Sequence, residues 1–260
     1  MLSVTVNNHT YQADLIVFDK DGLMFDSEQF WIEMANARIR AISKYCSKDD
    51  LLLWAKIMGV RTMIAEEGRM EATWVDPIGM IGVASPVEEM VILAGLLTSR
   101  LGIAWHESRN LATELFAESD KDIDLHRALK PQPGYVSLMK RINDLGIPYG
   151  VATSDTLERT RDSMSLYDCW ENVRFVVTPT DVSRGKPNPD MLEYISKKNG
   201  VPLNRIVMMG DSYVDVKMAK AAGSIGIGVT PFEDMQKKMK SYATEIVDSL
   251  EKIEINLCKI

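Results

Sequence analysis

The chain has 260 residues, of which 46% are hydrophobic, and its formal net charge is -7 at neutral pH. This length allows one large domain or two modest ones, and the apolar content is ample for a packed core. The acidic balance argues against a general nucleic-acid partner, because nucleic-acid binding rests on clustered lysine and arginine side chains.

The first elements of the chain are a predicted hairpin and a predicted buried strand. Val4–Val6 and Thr10–Gln12 flank the pair Asn7-Asn8, a pattern that is typical of a β-hairpin. The apolar run Leu15–Phe18 then predicts a buried strand that stops at Asp19-Lys20-Asp21-Gly22. We expect the hairpin to be a peripheral addition to the sheet that contains this strand.

A long block with helical periodicity follows. From Ser27 to about Leu129 apolar residues recur at near-helical spacing, and the pattern contains no convincing strand. Within it, Ser85-Pro86-Val87-Glu88 combines a capping serine, a proline suited to the first helical position and a glutamate that completes a capping box. A helix is therefore predicted from this point to Arg100, inside an all-α domain inserted over residues 28–130.

Alternating strand and helix patterns make up the rest of the chain. Pro131-Gln132-Pro133-Gly134 ends the helical block, because two prolines and a glycine redirect the backbone. Beyond it, the predicted strands are Tyr149–Ala152, Phe175–Val177, Ile206–Met209 and Ile225–Val229. This alternation predicts an α/β fold, a Rossmann-like core of residues 1–27 and 131–260 with a parallel sheet covered on both faces.

Polar residues follow the predicted strands of this core. In chain order they are Asp19 and Asp21, then Thr153 and Ser154, then Lys186, and finally Asp211 and Asp215. Because the carboxyl ends of parallel strands meet at one edge of a sheet, we expect these residues to form one site. Two acids at positions i and i+2 of an extended segment point the same way and repel each other unless a cation or a proton lies between them. The pattern therefore indicates metal-assisted chemistry.

These residue types suit phosphoryl transfer. Mg²⁺ prefers oxygen ligands, so Asp19 and Asp211 would hold it together with phosphate oxygens. One acid of the adjacent pair would attack phosphorus, while Asp21 would act first as general acid and then as general base. Lys186 would supply a positive charge, and Thr153 would bind phosphoryl oxygens.

Two of these residues also have a structural interpretation. Asp215 lies one helical turn after Asp211 and could interact only with the N-terminus of its own helix. Thr153 could cap the helix that follows it. Ser154 and Asp155 are better cap candidates, which leaves Thr153 to face the phosphate.

The polar segments resemble the four ordered motifs of the haloacid dehalogenase-like hydrolases over residues 15 to about 230. The segments are Asp19-Lys20-Asp21-Gly22, Thr153, Gly185-Lys186-Pro187 and Gly210-Asp211-Ser212-Tyr213-Val214-Asp215. The resemblance implies Mg²⁺ dependence, a nucleophile at Asp19 and acid/base catalysis by Asp21. It also implies metal ligands at Asp19, the Asp21 carbonyl and Asp211, supported by Asp215.

A longer motif narrows the resemblance to one subgroup. Asp21-Gly22-Leu23-Met24-Phe25-Asp26-Ser27-Glu28, followed by a helical insertion, resembles phosphoglycolate phosphatases and beta-phosphoglucomutases with a helical cap, although Leu23 replaces their usual threonine. We predict a phosphatase of a small phosphorylated metabolite, of phosphoglycolate or sugar-phosphate type, that forms an aspartyl-phosphate and binds substrate through Thr153, Ser154 and Lys186. The alternatives are a phosphosugar mutase and a non-catalytic phosphate-binding or regulatory module.

The cysteines and the N-terminal segment predict a location. Cys46, Cys169 and Cys258 are scattered and have no C-x-x-C spacing, so neither a disulfide framework nor a zinc site is indicated. The first residues lack the basic and apolar regions of a signal peptide, and no apolar run approaches membrane-spanning length. We expect a cytoplasmic monomer or homodimer that binds neither nucleic acid nor membranes.

Overall fold

The computed structural model describes residues 1–26, 28–66, 68–76, 78–123, 125–167, 169–170 and 172–258. The strands are β1 Leu2–Val6, β2 His9–Ala13, β3 Leu15–Phe18, β4 Phe25–Asp26, β5 Val60–Ile64, β6 Met70–Val75, β7 Lys130–Pro131, β8 Tyr149–Ala152, β9 Val173–Val177, β10 Ile206–Gly210, β11 Ile225–Val229, β12 Glu245–Val247 and β13 Glu254–Leu257. The helices are α1 Glu28–Ile42, α2 Lys48–Met58, α3 Met80–Val83, α4 Pro86–Leu101, α5 Trp105–Lys121, α6 Leu125–Ala128, α7 Tyr135–Asp144, α8 Leu157–Ser165, α9 Asp190–Asn199, α10 Tyr213–Ala222 and α11 Glu233–Met239.

The chain divides into two compact units. The first comprises Met1–Asp26 and Lys130–Ile260, and the second comprises Ser27–Leu129. The predicted insertion, residues 28–130, differs from the second unit by one residue at each end, and Ser27 itself lies outside the described residues. None of the helices in the described ranges has the length and apolar character that a bilayer crossing requires.

A six-stranded parallel sheet in the order β12-β11-β10-β3-β8-β9 forms the centre of the first unit. From β3 the sheet grows in both directions, so right-handed crossovers place helices on both of its faces. The residues of β3, β8 and β10 are all buried, as a parallel sheet covered on both sides requires. The predicted Rossmann-like core is therefore confirmed.

Side chains from alternate positions of the strands build the core on the two faces of this sheet. On one face, Leu15 and Val17 of β3 pack with α9 and α10 in a cluster of buried apolar residues that includes Met191, Ile195 and Met218. Phe18, whose side chain alternates with that of Val17, makes an edge-to-face contact with Tyr149 at a centroid distance of 5.6 Å. Central strand β3 is thus held from both sides.

The predicted N-terminal hairpin is present and belongs to a sheet of its own. Strands β1 and β2 pair in antiparallel register around Asn7 and Asn8, whose φ angles of 50° and 66° are the left-handed values that a two-residue hairpin turn needs. The third strand of this sheet, β13, comes from the end of the described chain and pairs with β1. Strand β13 was not predicted from the sequence.

A short antiparallel ribbon lies where the chain leaves the first unit and where it returns. Phe25 of β4 pairs with Pro131 of β7, and Asp26 pairs with Lys130. Gln132 continues this contact, because its backbone N–H donates to the carbonyl of Met24 over 2.9 Å. The two crossing points are therefore held side by side by backbone hydrogen bonds.

The second unit contains six helices and one β-hairpin within its described residues. Strands β5 and β6 pair in antiparallel register, and the carboxamide oxygen of Asn36 in α1 accepts a hydrogen bond from the N–H of Ala72 over 2.7 Å. The prediction of an entirely helical insertion is wrong at this hairpin. The buried positions at the start of β6 are Met70 and Ala72, which are not strong strand formers, so the alternation was masked by helical periodicity.

The helix predicted to begin after Ser85 is confirmed as α4. The Ser85 Oγ accepts from the N–H of Glu88, and the Ser85 N–H donates to the Glu88 carboxylate over 2.7 Å. Elsewhere in the second unit, the buried guanidinium of Arg38 lies 3.8 Å from the centre of the Phe116 ring and donates to the Phe116 carbonyl. This contact joins α1 to α5.

We predict that Gly134→Ala destabilises the first unit. Gly134 has a φ of 84°, and a Cβ there would lie 2.5 Å from the backbone nitrogen of Glu251. Gly200→Ala is the control, because Gly200 has a φ of 64° and no atom within 4 Å of its Cβ position. The control should lose about 1 to 2 kcal/mol for the left-handed backbone. Gly134→Ala should lose about 1 to 3 kcal/mol more in urea unfolding, and equal losses would contradict the steric argument.

Candidate active site

The candidate site lies at the carboxyl ends of the neighbouring strands β3 and β10, where the strand order of the sheet reverses. A parallel sheet opens a crevice at such a point, because the connections leave it in opposite directions. The pairing of the two strands continues one residue beyond β3, since the Asp19 N–H donates to the Met209 carbonyl over 2.8 Å. Asp19 and Asp211 therefore follow two adjacent strand ends.

Three carboxylates and one ammonium group meet at this edge. Ligand oxygens of Asp19, Asp211 and Asp215 all lie within 4.8 Å of one another. The Lys186 Nζ lies 2.7 Å from Asp19 Oδ1 and 2.6 Å from Asp215 Oδ1, and its side chain is 3% exposed. With all groups ionised, these four side chains carry two more negative charges than positive ones. Such a set of oxygens fits a hard divalent cation.

Burial and mutual repulsion shift the pKa values of this cluster. Burial, with the charge of Asp215 in addition, raises the pKa of Asp19 to about 6 against the opposing effect of Lys186. Burial and the charges of Asp19 and Asp215 raise the pKa of Asp211 well above its usual range. Burial by itself would lower the pKa of Lys186, but the charges of Asp19 and Asp215 raise it. The site therefore favours a bound cation or a retained proton.

Two glycines allow the carboxylates to come this close to the backbone. Gly22 has a φ of 82°, and a Cβ there would lie 2.1 Å from Asp211 Oδ2. At Gly210 a Cβ would lie 2.3 Å from the Cγ of Asp215. The absence of a side chain at each position is thus a steric requirement of the site.

Asp215 contacts both the N-terminus of its own helix and the side chain of Lys186. It is the third residue of α10, and its Oδ2 accepts from the Ser212 N–H over 3.2 Å, as an acid at a helix N-terminus does. Its Oδ1 lies beside Lys186. Asp215 therefore anchors the helix and orients Lys186 at the same time.

A second group of buried charges surrounds Asp21. The fully buried Lys20 places its Nζ 2.7 Å from Asp21 Oδ1 and 2.7 Å from Asp155 Oδ2. The Arg159 guanidinium in turn binds Asp155 Oδ1, with its Nε at 2.6 Å. Lys20 and Arg159 are not among the predicted site residues. A lysine between two acids at the end of a fully buried strand needs a buried carboxylate partner, and this signal could have revealed Lys20.

In the loop after β8, the residue that caps the following helix is not the predicted one. The side chain that caps α8 is that of Thr156, whose Oγ1 accepts from the Arg159 N–H over 3.2 Å, so the prediction of a cap at Ser154 or Asp155 is wrong. The Asp155 carboxylate is instead bound by Lys20 and Arg159. Thr153 is buried, and its Oγ1 accepts from the Asp155 N–H over 3.0 Å, while Ser154 is partly exposed.

Comparison with protein families agrees with this geometry. A family profile described as haloacid dehalogenase-like hydrolase matches residues 13–223, which include every predicted site residue. The chain belongs to this family of hydrolases. Its membership confirms the resemblance that the four motifs indicated, and it makes the protein an enzyme of the hydrolase class.

Individual relatives of this hydrolase carry phosphatase names. The mitochondrial (DL)-glycerol-3-phosphatase 1 of Arabidopsis thaliana is 24% identical over 90% of this chain and 70% of its own length. The phosphoglycolate phosphatase of Escherichia coli K12 is 29% identical over 33% of this chain and 34% of its own length, so only about a third of that relative is matched. The structure of CbbY from Rhodobacter sphaeroides in complex with phosphate is similar in fold, with a TM-score of 0.61, 17% identity, and coverage of 92% of this chain and 95% of that one.

We predict that Asp155→Asn destabilises the protein in a pH-dependent way. Although burial opposes it, the charges of Lys20 and Arg159 lower the pKa of Asp155 from 3.8 to about 2. The stabilisation by the ionised carboxylate is therefore complete above pH 3.8 and is lost as the pH falls through about 2. At pH 7 the variant should lose about 3 kcal/mol in urea unfolding.

An exposed aspartate provides the control for the Asp155→Asn prediction. Asp248 is an exposed aspartate paired with Lys252 over 2.8 Å, and Asp248→Asn should leave the free energy of unfolding nearly unchanged. The gap between the wild type and Asp155→Asn should narrow below pH 4. A gap that stays constant down to pH 2 would show that the ionised Asp155 does not stabilise the fold.

Proposed function

We propose that the protein is a Mg²⁺-dependent phosphatase that hydrolyses a small phosphorylated metabolite through an aspartyl-phosphate on Asp19. The observation that supports this most strongly is the cluster of Asp19, Asp211 and Asp215 around Lys186, which combines a buried nucleophile with a deficit of positive charge. A metal ion and a substrate phosphate would complete such a cluster chemically. Membership in a hydrolase family and the names of the phosphatase relatives support the same reaction class.

The residues present fit a magnesium ion. Asp19 and Asp211 would be its carboxylate ligands, with the Asp21 carbonyl as a further oxygen and Asp215 in support. Mg²⁺ prefers a few carboxylates together with water and phosphate oxygens to a complete protein cage, and this cluster offers that number of carboxylates. When bound, the ion would neutralise the phosphate charge that otherwise repels the carboxylates.

In the first step, a carboxylate oxygen of Asp19 attacks phosphorus. The bond between phosphorus and the ester oxygen breaks, its electron pair stays on that oxygen, and the Asp21 carboxyl gives it a proton. The products are an aspartyl-phosphate and a free alcohol. Burial raises the pKa of Asp21 against the opposing charge of Lys20, which favours the protonated form that this step needs.

In the second step, water hydrolyses the aspartyl-phosphate. The Asp21 carboxylate takes a proton from the water as its oxygen bonds to phosphorus, and the bond from phosphorus to Asp19 breaks to return the free carboxylate. Lys186 stabilises charge on the phosphoryl oxygens from the side of Asp19. Thr153 and Ser154, at the end of the neighbouring strand β8, would donate hydrogen bonds to the same oxygens.

The proposed substrate is of phosphoglycolate or sugar-phosphate type. Two of the matched relatives are named for glycerol 3-phosphate and phosphoglycolate, two small phosphate monoesters. The second unit would act as a cap that selects among such substrates. Cys46 and Cys258 form no disulfide, which is compatible with the proposed cytoplasmic location.

We predict that Asp19→Asn abolishes hydrolysis of 4-nitrophenyl phosphate while the protein remains folded. The amide has nearly the shape of the carboxylate but is a poor nucleophile, so turnover should fall by at least about 1,000-fold. The control is Asp14→Asn, because Asp14 lies just before β3 and binds only Arg205 in the contacts described, at 3.0 Å. It should keep wild-type turnover. Substantial turnover by Asp19→Asn would refute the proposed nucleophile.

We predict that Asp211→Asn raises the melting temperature without metal and weakens the effect of Mg²⁺. The substitution removes one of three clustered negative charges, which relieves their repulsion and also removes a proposed ligand. Differential scanning fluorimetry with and without MgCl₂ measures both effects. Asp248→Asn again serves as the control. The same Mg²⁺-induced shift in wild type and Asp211→Asn would argue against this metal site.

The two alternative functions make different products. Phosphorus-31 NMR with a hexose 1-phosphate and Mg²⁺ should show free phosphate if the protein is a phosphatase. Accumulation of hexose 6-phosphate would assign a mutase instead. Binding of phosphate without turnover of any ester in a panel of phosphometabolites would assign the non-catalytic module.

A further inference from the structure

The buried side chain of Lys20 belongs to a network of charged side chains to which the proposed mechanism gives no role apart from that of Asp21. We call it the Lys20 network; its members are Asp21, Lys20, Asp155 and Arg159. The Lys20 ammonium group lies between Asp21 Oδ1 and Asp155 Oδ2, at 2.7 Å from each. Lys20 is 0% exposed, so no bulk water shares these contacts. The contact with Asp155 Oδ2 is a charge-assisted hydrogen bond, whereas the contact with Asp21 Oδ1 is an ion pair.

In the Lys20 network, Asp155 is bound to the start of α8. Asp155 Oδ1 accepts from the Thr156 N–H over 2.7 Å and from the Arg159 Nε over 2.6 Å, at the first turn of the helix. The Asp155 N–H also donates to Thr153 Oγ1. The Asp155 carboxylate is therefore held at both oxygens, and it offers Lys20 a rigid anchor.

In the same network, the Lys20 ammonium group contacts one carboxylate oxygen of Asp21. Asp21 Oδ1 is buried against Lys20, whereas the side chain as a whole is 21% exposed. The exposed part of the side chain is thus not the oxygen that Lys20 binds.

We infer that Lys20, anchored by Asp155 and Arg159, is a positioning residue that holds the Asp21 carboxyl group in the orientation needed for proton transfer. This inference rests on the proposed function only for the role of Asp21. Lys20 acts when the phosphorus–oxygen bond of the ester breaks and the Asp21 proton passes to the leaving oxygen. It transfers no proton itself, because it acts only through the position of the Asp21 carboxyl group, with which it forms an ion pair.

Two aryl phosphates of similar shape provide the test. Phenol has a pKa of about 10, like the tyrosine side chain, so phenyl phosphate needs the proton from Asp21. The 4-nitrophenolate ion leaves without such help. In Lys20→Met, we expect kcat/KM for phenyl phosphate to fall about 100-fold and that for 4-nitrophenyl phosphate less than about 10-fold. The ratio of the two values therefore falls at least about tenfold.

Two further variants show whether Lys20 acts through Asp21. Lys252 is an exposed lysine paired with Asp248, and Lys252→Met should leave the ratio unchanged. In an Asp21→Asn background, Lys20→Met should not lower the ratio any further. An equal loss for both esters in Lys20→Met, or an undiminished effect in the Asp21→Asn background, would overturn the inference.

A crystal structure of Lys20→Met gives a readout that needs no turnover. The Asp21 carboxyl group should rotate or occupy more than one conformation, and an unchanged position would overturn the inference. If the wild type hydrolyses neither ester with Mg²⁺, the proposed function fails while this structure still decides the positioning role. If Lys20→Met does not fold, Lys20→Arg replaces it, because the arginine keeps the positive charge that supports folding. The wider guanidinium group should displace Asp21 Oδ1 and lower the ratio of the two kcat/KM values at least about threefold.

Discussion

The buried contact of Lys186 with Asp19 and Asp215 is the constraint on which the rest of the site depends. It joins the end of β3, the loop after β9 and the first turn of α10, which are far apart in sequence. Buried carboxylates without a counter-charge would take up protons or move apart. One ammonium group among three carboxylates keeps them together and leaves a negative charge in excess, which the proposed function assigns to a bound cation.

The two acids that flank Lys20 form ion pairs with different lysines. Asp19 contacts Lys186 in the acidic cluster, whereas Asp21 contacts Lys20, which leads to Asp155 and α8. The repulsion expected from acids at positions i and i+2 is therefore relieved at each acid separately. This division matches the proposed division of labour, in which one carboxylate bonds to phosphorus and the other moves protons.

Two predictions from the sequence were wrong for physical reasons. Hairpin β5–β6 was not predicted because Met70 and Ala72 occupy the buried positions at the start of β6, and these residues carry little strand preference. The cap of α8 is Thr156 because Asp155 is bound by Lys20 and Arg159 and so serves a different purpose. Both outcomes depend on neighbours that are distant in sequence, and local propensity does not include them.

Local pattern alone determined the strand that stops at Asp19, the polar turn that ends at Gly22, the capped start of α4 and the alternation that requires a parallel sheet. These features depend on side-chain periodicity and backbone preference, which act over a few residues. Only the tertiary structure decided that β3 lies between β10 and β8, that the Asp211 carboxylate rests against Gly22, and that Lys20 reaches Asp155. The pairing of strands and the burial of charges join residues more than a hundred positions apart, so their outcome depends on the packing of the whole unit.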